Sequence, residues 1–269
     1  LSSLTDSPEQ LYVLGNTNLL NAEHALSVVG SRKITPYGRQ ITTDLVEDVA
    51  KHGVIIVSGL ALGVDALAHQ ACLNVNGKTI AVMPCGLDNI YPASHRNLAL
   101  KILENDGLLV SEYSQGVCPL KHHFIARNRI VSGLGDAILV TEASRQSGTI
   151  HTANFALEQG RTVMAVPGNI TSPESQGTNN LIRNGALPVT EVQDIFEVLE
   201  INTEKESVEV FASNDQEQTV LELLKSGVSD GDELLAGSRL DVSSFNQTLT
   251  MLEITGKIKA LGNNQWSVR

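Results

Sequence analysis

Short apolar runs alternate with helix-length amphipathic stretches along the first two hundred residues. The runs are "ALSVVG" (25–30), "GVIIVSG" (53–59), "KTIAVMPCG" (78–86), "GLLVSE" (107–112), "DAILVTEA" (136–143) and "RTVMAVPG" (161–168). Between them lie segments such as "YGRQITTDLVEDVAKH" (37–52) and "GTIHTANFALEQG" (148–160). Strands that are apolar throughout, rather than alternating, belong in a parallel sheet covered on both faces. The pattern predicts a Rossmann-like, doubly wound, mostly parallel α/β sheet. Six or seven strands without an eighth repeat favour an open sheet over a closed barrel. Almost every run ends in small or polar residues: "GSR", "SGL", "PCG", "SE", "TEAS", "PG". Ligands of open parallel sheets bind outside the carboxyl ends of the strands, and small residues there let a ligand approach the backbone. A shared cleft along that edge is expected.

The pattern changes near residue 200. Residues 200–213, opening "EINTEKESVEVF", are polar and acidic and are read as a linker between a domain at 1–199 and one at 214–269. Three short helices are predicted at 214–226, 230–237 and 241–254, with Asp230 and Asp241 as N-caps. "GKIKALGNNQWSVR" then reads as a hairpin. Three helices and a hairpin make a small winged-helix domain. Such domains often read DNA with the third helix, but here that helix carries no Lys or Arg, and residues 199–269 hold twice as many acidic as basic residues. That balance favours protein contact or a structural role over groove binding.

Composition narrows the function. Net charge is −11, which opposes general adhesion to nucleic acid or anionic membrane, so any such site is a local patch. One patch is conspicuous: five of the nine residues from Lys121 to Arg129 can carry positive charge. The three cysteines show no CxxC or Cys/His ligand spacing, so neither zinc nor a disulfide framework is indicated. No metal and no cofactor is expected, and a reduced, cytoplasmic setting fits. No signal peptide or membrane span is visible. The chain begins without Met, so native residues are expected to precede it.

Four segments suit an anion. In "VVGSRKITPYGRQ" (28–40), Gly30 and Ser31 form a strand-to-helix turn whose N–H groups can cradle a phosphate, and Arg32 offers either a planar charged fork or a surface ion pair. The stretch is neither GxGxxG nor a Walker A loop. In "VSGLALGVDALAHQACL" (57–73), Ser58 and Gly59 end a strand; Asp65 and His69 share a helix face, which suits acid–base chemistry less well than a structural tie. In "EASRQSGTIHTANFALEQGR" (142–161), Ser147, Gly148 and Thr149 precede an Ala-rich helix, offering three N–H groups and two hydroxyls. Glu142 there can touch a ribose or act as a base, and His151 is read as packing or surface. In "KHHFIARNRIVSG", helical from about 124, Phe124 and Arg127 share a face while Arg129 points about 200° away from Arg127. Lys121, Phe124 and Arg127 are assigned to the cleft and Arg129 to a structural carboxylate; an aromatic beside cations also suits base stacking on single strands. His122 and His123 are read as solvated.

Together "VVGSRKITPYG", "VSGLALGVDALAH", "GLDNIYPASHRNL", "SEYSQG", "HHFIARNRIVSGL", "EASRQSGTIHTA" and "GRTVMAVPGNITSPESQGTNNLIRNGA" resemble the DNA-processing protein family, DprA, also called Smf. The resemblance runs in unbroken order from about Leu11 to Leu199, and the C-terminal module is similar to the winged helix many members carry. Members often have an N-terminal helical domain, which this chain does not show. The resemblance implies a non-enzymatic protein of natural transformation that binds and protects single-stranded DNA, loads the recombinase RecA onto it and is generally a homodimer. It also implies a phosphate pocket of Gly30, Ser31, Arg32, Lys121 and the Ser147-Gly148-Thr149 helix start, with Phe124, Arg127 and Asn128 in a matched segment. One departure is visible: the family often has Pro where Ile125 stands, which alters the local turn. A rival resemblance is to phosphoribohydrolase-like enzymes, which bind a nucleoside monophosphate in a similar cleft; "SRQSGTIHTA" lacks their double glycine and correctly spaced acid.

Overall fold

A computed structural model describes residues 7–202, 212, 214–262 and 264–268. The chain divides into two compact units that part between Asn202 and Thr203. The linker expected at 200–213 lies mostly outside the described residues.

In the first unit, all six apolar runs become strands of one sheet: β2 (Ala25–Val29), β3 (Ile55–Ser58), β4 (Thr79–Met83), β5 (Leu108–Ser111), β6 (Ala137–Val140) and β7 (Thr162–Ala165). Two further strands extend it. β1 (Tyr12–Gly15) pairs antiparallel with β5, and β8 (Leu187–Pro188) pairs parallel with β7. The sheet therefore has eight strands, more than the six or seven expected, but it stays open, in the order β1-β5-β4-β3-β2-β6-β7-β8.

Side chains along each central strand alternate between two cores. Leu26, Val28, Ile56 and Leu139 face one helix layer with residues of α1 (Pro36–Lys51), α2 (Val64–Asn74) and α7 (Val192–Val198). Ala25, Val29, Val57 and Ile138 face the other, with residues of α4 (Lys121–Leu134), α5 (Thr149–Glu158) and α6 (Gln176–Arg183). The period-two alternation of a strand delivers both sets from continuous apolar sequence. A smaller cluster centred on Leu60, Met83 and Ile102 seats α3 (Arg96–Glu104). Burial pushes the Cys72 thiol up to about 12 and Cys85 up to about 11, so both stay protonated near neutrality.

The second unit has α8 (Asp215–Lys225), α9 (Gly231–Ser238) and α10 (Val242–Ile254), followed by the hairpin β9 (Ile258–Gly262) and β10 (Gln265–Val268). Asp230 and Asp241 cap α9 and α10 through their side chains, as their positions predict. Val220, Leu221, Leu234, Phe245, Leu249 and Leu252 close a core of its own, and the unit is a winged helix. Among the described residues no helix is long and apolar enough to cross a membrane.

The strand order reverses beside β2, which pairs with β3 on one side and β6 on the other. There the turn after β2 must pass between two other chain segments. Ser31 N–H donates to the Glu142 carbonyl at 2.7 Å, and Val64 N–H donates to the Ser31 carbonyl at 3.1 Å. Only glycine fits at position 30: a Cβ would lie 2.5 Å from Val64 Cγ2 and 2.8 Å from the Glu142 carbonyl oxygen. Gly30→Ala is therefore expected to cost about 1–3 kcal/mol by overpacking, read as a lower urea midpoint at unchanged slope; an unshifted midpoint contradicts this close packing.

Candidate functional site

At the switch point a cavity of about 510 Å³ opens at the carboxyl ends of β2 and β6. Gly30, Ser31, Arg32, Arg127, Asn128, Ser147, Gly148 and Thr149 line it, joined by Lys33, Asp65, Ser144 and Glu174, which the sequence pattern did not single out as ligand contacts. A smaller apolar hollow adjoins it, lined by Gly59, Leu62, Pro84, Tyr91, Pro92 and Phe124 and sharing Arg32, Ala61 and Arg127 with the cavity. Phe124 is half-buried. Its ring meets Tyr91 edge-on at 5.3 Å between centroids, and the Arg32 guanidinium sits 5.6 Å from its centroid, within cation–π range. Arg32 thus stands at the junction of a polar cavity and an aromatic shelf. Lys121 lies exposed in the first turn of α4 and borders neither hollow directly.

Several expected site residues are tied into hydrogen bonds that hold the cleft together. Ser58 is fully buried, and its hydroxyl donates to the Val28 carbonyl at 2.6 Å. Arg127 is buried in the wall common to the cavity and the hollow, where its guanidinium donates to the carbonyls of Gly59 and Val82. A Cβ at residue 59 would run into that guanidinium, so glycine is needed there for the arginine to lie flat. Asp65 completes this wall. Its carboxylate accepts from the N–H groups of Gly59 at 3.2 Å and Ala61 at 3.4 Å. Burial pushes the Asp65 carboxyl up, against the opposing pull of Arg127, and burial likewise lowers the Arg127 guanidinium.

The helix start at 147–149 offers less than its composition promised. Thr149 Oγ1 donates to the Gly30 carbonyl at 2.9 Å, and Ser147 Oγ donates to Thr149 Oγ1 at 2.9 Å while accepting from the Thr149 N–H at 3.2 Å. Neither hydroxyl proton is turned to the cavity. The donor this segment retains is the Gly148 N–H, which makes no hydrogen bond among the described residues. Glu142 is likewise committed: its carboxylate accepts from the Thr35 N–H at 2.9 Å and Thr35 Oγ1 at 2.6 Å, fixing the N-cap of α1. The base role open to Glu142 on sequence is taken up by this structural one.

α4 begins at Lys121, earlier than the expected 124, and runs unbroken through the exposed Ile125. Arg129 pairs with Glu112 at 2.5 Å, a structural carboxylate as expected for it, though the sequence did not indicate which one. His123 is not solvated. It is buried, stacks on Tyr113 with centroids 4.0 Å apart, and its Nδ1 lies 3.2 Å from the Pro84 carbonyl oxygen and 3.3 Å from the Leu120 nitrogen at the start of the helix. His151 lies at the surface.

Residues 1–200 match the family described as DNA recombination-mediator protein A, and residues 205–264 match its winged helix domain. The chain belongs to the DNA recombination-mediator protein A family. Protein Smf of Escherichia coli K12 is 43% identical over 237 residues, which cover 87% of this chain and 63% of that protein. DNA processing protein DprA of Bacillus subtilis 168 is 39% identical over 199 residues, 74% of this chain and 67% of that one. The chain thus spans about two thirds of the length of these DprA relatives. Two solved DprA structures superpose on 73% of the chain. The Helicobacter pylori protein, whose structural description concerns its single-stranded DNA binding mode, superposes with a TM-score of 0.68 at 36% identity, covering 73% of this chain and 89% of that one. Streptococcus pneumoniae DprA gives 0.68 at 41% identity, covering 73% and 68%.

His69 yields a pH test of the packing beneath this DprA-type cleft. It does not reach Asp65, as the shared helix face had suggested; its Nδ1 meets Thr79 Oγ1 at 2.7 Å, and Thr79 donates onward to the Ile56 carbonyl. Burial first, then the charges of Arg127 and His95, lower its pKa from 6.5 to about 3. The folded chain holds this imidazole neutral while the unfolded chain protonates it, so its contribution to stability is full above pH 6.5 and falls as pH drops toward about 3. Between pH 7 and 5 that loss is about 2 kcal/mol. His69→Asn keeps a donor toward Thr79 and does not titrate, so the stability difference between pH 7 and 5, measured by urea unfolding, should shrink by about that much; an unchanged difference contradicts the assignment.

Proposed function

We propose that the cavity and aromatic shelf hold single-stranded DNA, the backbone at the cavity and bases on the shelf. The observation that carries this reading is the position of Arg32, which lines the cavity together with Gly148 and sets its guanidinium 5.6 Å from the Phe124 ring centroid. A guanidinium grips a phosphate with a planar fork, a helix N-terminus presents N–H groups to the same anion, and an aromatic face accepts any base. Lys33 adds a second charge at the cavity, and Lys121 extends the cationic track along the first turn of α4. Contacts of this kind read phosphate and stacking, so sequence preference is weak. On an acidic body, a local cationic cleft also limits indiscriminate binding. The description of the H. pylori relative names the same ligand class. The α10 helix, without Lys or Arg, supports single strands over duplex as the ligand of this chain.

As a member of this family, the chain is proposed to act in natural transformation, binding incoming single strands as a homodimer and passing them to RecA. It is proposed to work by binding rather than by catalysis, in the cytoplasm, without metal or cofactor.

Arg32→Ala and Lys121→Ala should each weaken binding to a fluorescent oligo-dT by about tenfold near 0.1 M salt and reduce the slope of log K against log salt by about 0.7. A matched duplex should bind more weakly than the single strand at every salt concentration. Wild-type affinity and slope in both variants would place the strand elsewhere.

A further inference from the structure

The proposed phosphate cradle already contains an anion, and it belongs to the chain. Glu174 rides on the single turn Pro173–Ser175 that leads into α6, and its side chain enters the cavity alongside Arg32, Lys33 and Gly148. Glu174 Oε2 lies 2.9 Å from Ser31 Oγ. The Ser31 hydroxyl has one proton and two acceptors within reach, the carboxylate and the Lys33 carbonyl at 3.1 Å; it also accepts from the Lys33 N–H at 3.1 Å. A carboxylate is the stronger acceptor, so the proton belongs to Glu174. A phosphate oxygen can take that proton only by displacing the carboxylate, and two anions sharing one hydroxyl repel each other.

The surrounding loop suits such a displacement. It is anchored on both sides of Glu174. The Tyr37 hydroxyl donates to the Pro167 carbonyl at 2.9 Å, Asn179 bonds both the N–H and the carbonyl of Gly168, and the Gly177 N–H donates to the Ala143 carbonyl at 2.8 Å. Glu174 itself is half-buried, and its hydrogen bond to Ser31 is the one its side chain makes among the described residues. Rotation of that side chain into solvent breaks one hydrogen bond and leaves the anchors in place.

We propose that Glu174 is an internal stand-in for a backbone phosphate, which a continuous strand displaces and an isolated phosphate does not. A strand brings many contacts to Arg32, Lys121 and the Phe124 shelf that together outweigh the lost carboxylate contact. Inorganic phosphate brings one. Glu174 thereby selects polymer over the free phosphate that surrounds it, at the cost of weaker strand binding. This inference rests on the single-strand reading of the cleft.

The test measures oligo-dT binding by fluorescence anisotropy for the wild type, Glu174→Gln, Glu174→Ala and Arg32→Ala, with inorganic phosphate as competitor. Glu174→Gln keeps an acceptor for Ser31 and the loop packing but removes the charge. Both Glu174 variants should bind the strand about five- to tenfold more tightly, and inorganic phosphate should compete against them at correspondingly lower concentration than against the wild type. Unchanged strand affinity and phosphate competition in Glu174→Gln, or weaker binding in Glu174→Ala, overturns the inference and leaves Glu174 as a loop brace. Arg32→Ala separates the two levels: if it weakens binding while Glu174→Gln changes nothing, only the Glu174 inference fails. If Arg32→Ala has no effect, the single-strand reading of the cleft fails and this inference with it.

Discussion

The backbone of Ser31 is the constraint on which the rest of the site depends. Through one N–H and one carbonyl it joins the end of β6 to the start of α2, at the point where the strand order of the sheet reverses. The two bonds require the chain to pass through a gap that only Gly30 can thread. Once they form, Arg32 and Lys33 are carried out over the cavity, and the Ser31 hydroxyl is left facing Glu174. The cationic groups are thus positioned by backbone geometry that a flexible surface loop could not maintain.

A second layer of buried polar groups fixes the cleft wall. Arg127 under the Gly59 carbonyl, Asp65 on the N–H groups of Gly59 and Ala61, and Glu142 on Thr35 each fasten the beginning or end of an element that borders the cleft. Such groups are costly to bury without partners, and here each has a backbone partner. Together they hold the turns whose exposed donors meet the ligand.

Much of this architecture was legible in the sequence, because an unbroken apolar run that ends in small residues fits a buried parallel strand and little else. The opposed directions of Arg127 and Arg129 followed from helical angle alone, and Arg129 found its carboxylate. β1 and β8 escaped notice for physical reasons. β1 is an exposed edge strand with no buried face to imprint a pattern, and β8 is two residues long. Within the site, local composition showed where polar groups cluster but not which way their protons point. Ser147 and Thr149 turn inward because Gly30 presents a carbonyl from a distant strand, and Ser58 turns inward to Val28. Glu174 had no local signal at all, since its partner Ser31 lies across the fold.

The central claim is that the Ser31–Arg32 turn and the Gly148 helix start meet the same phosphate backbone. Hydrogen–deuterium exchange, with and without a saturating oligo-dT, tests it most directly. The account predicts new protection concentrated at residues 30–33 and 147–150, with a smaller change in the first turn of α4. Protection confined to the winged helix, with exchange at both turns unaltered, would contradict it.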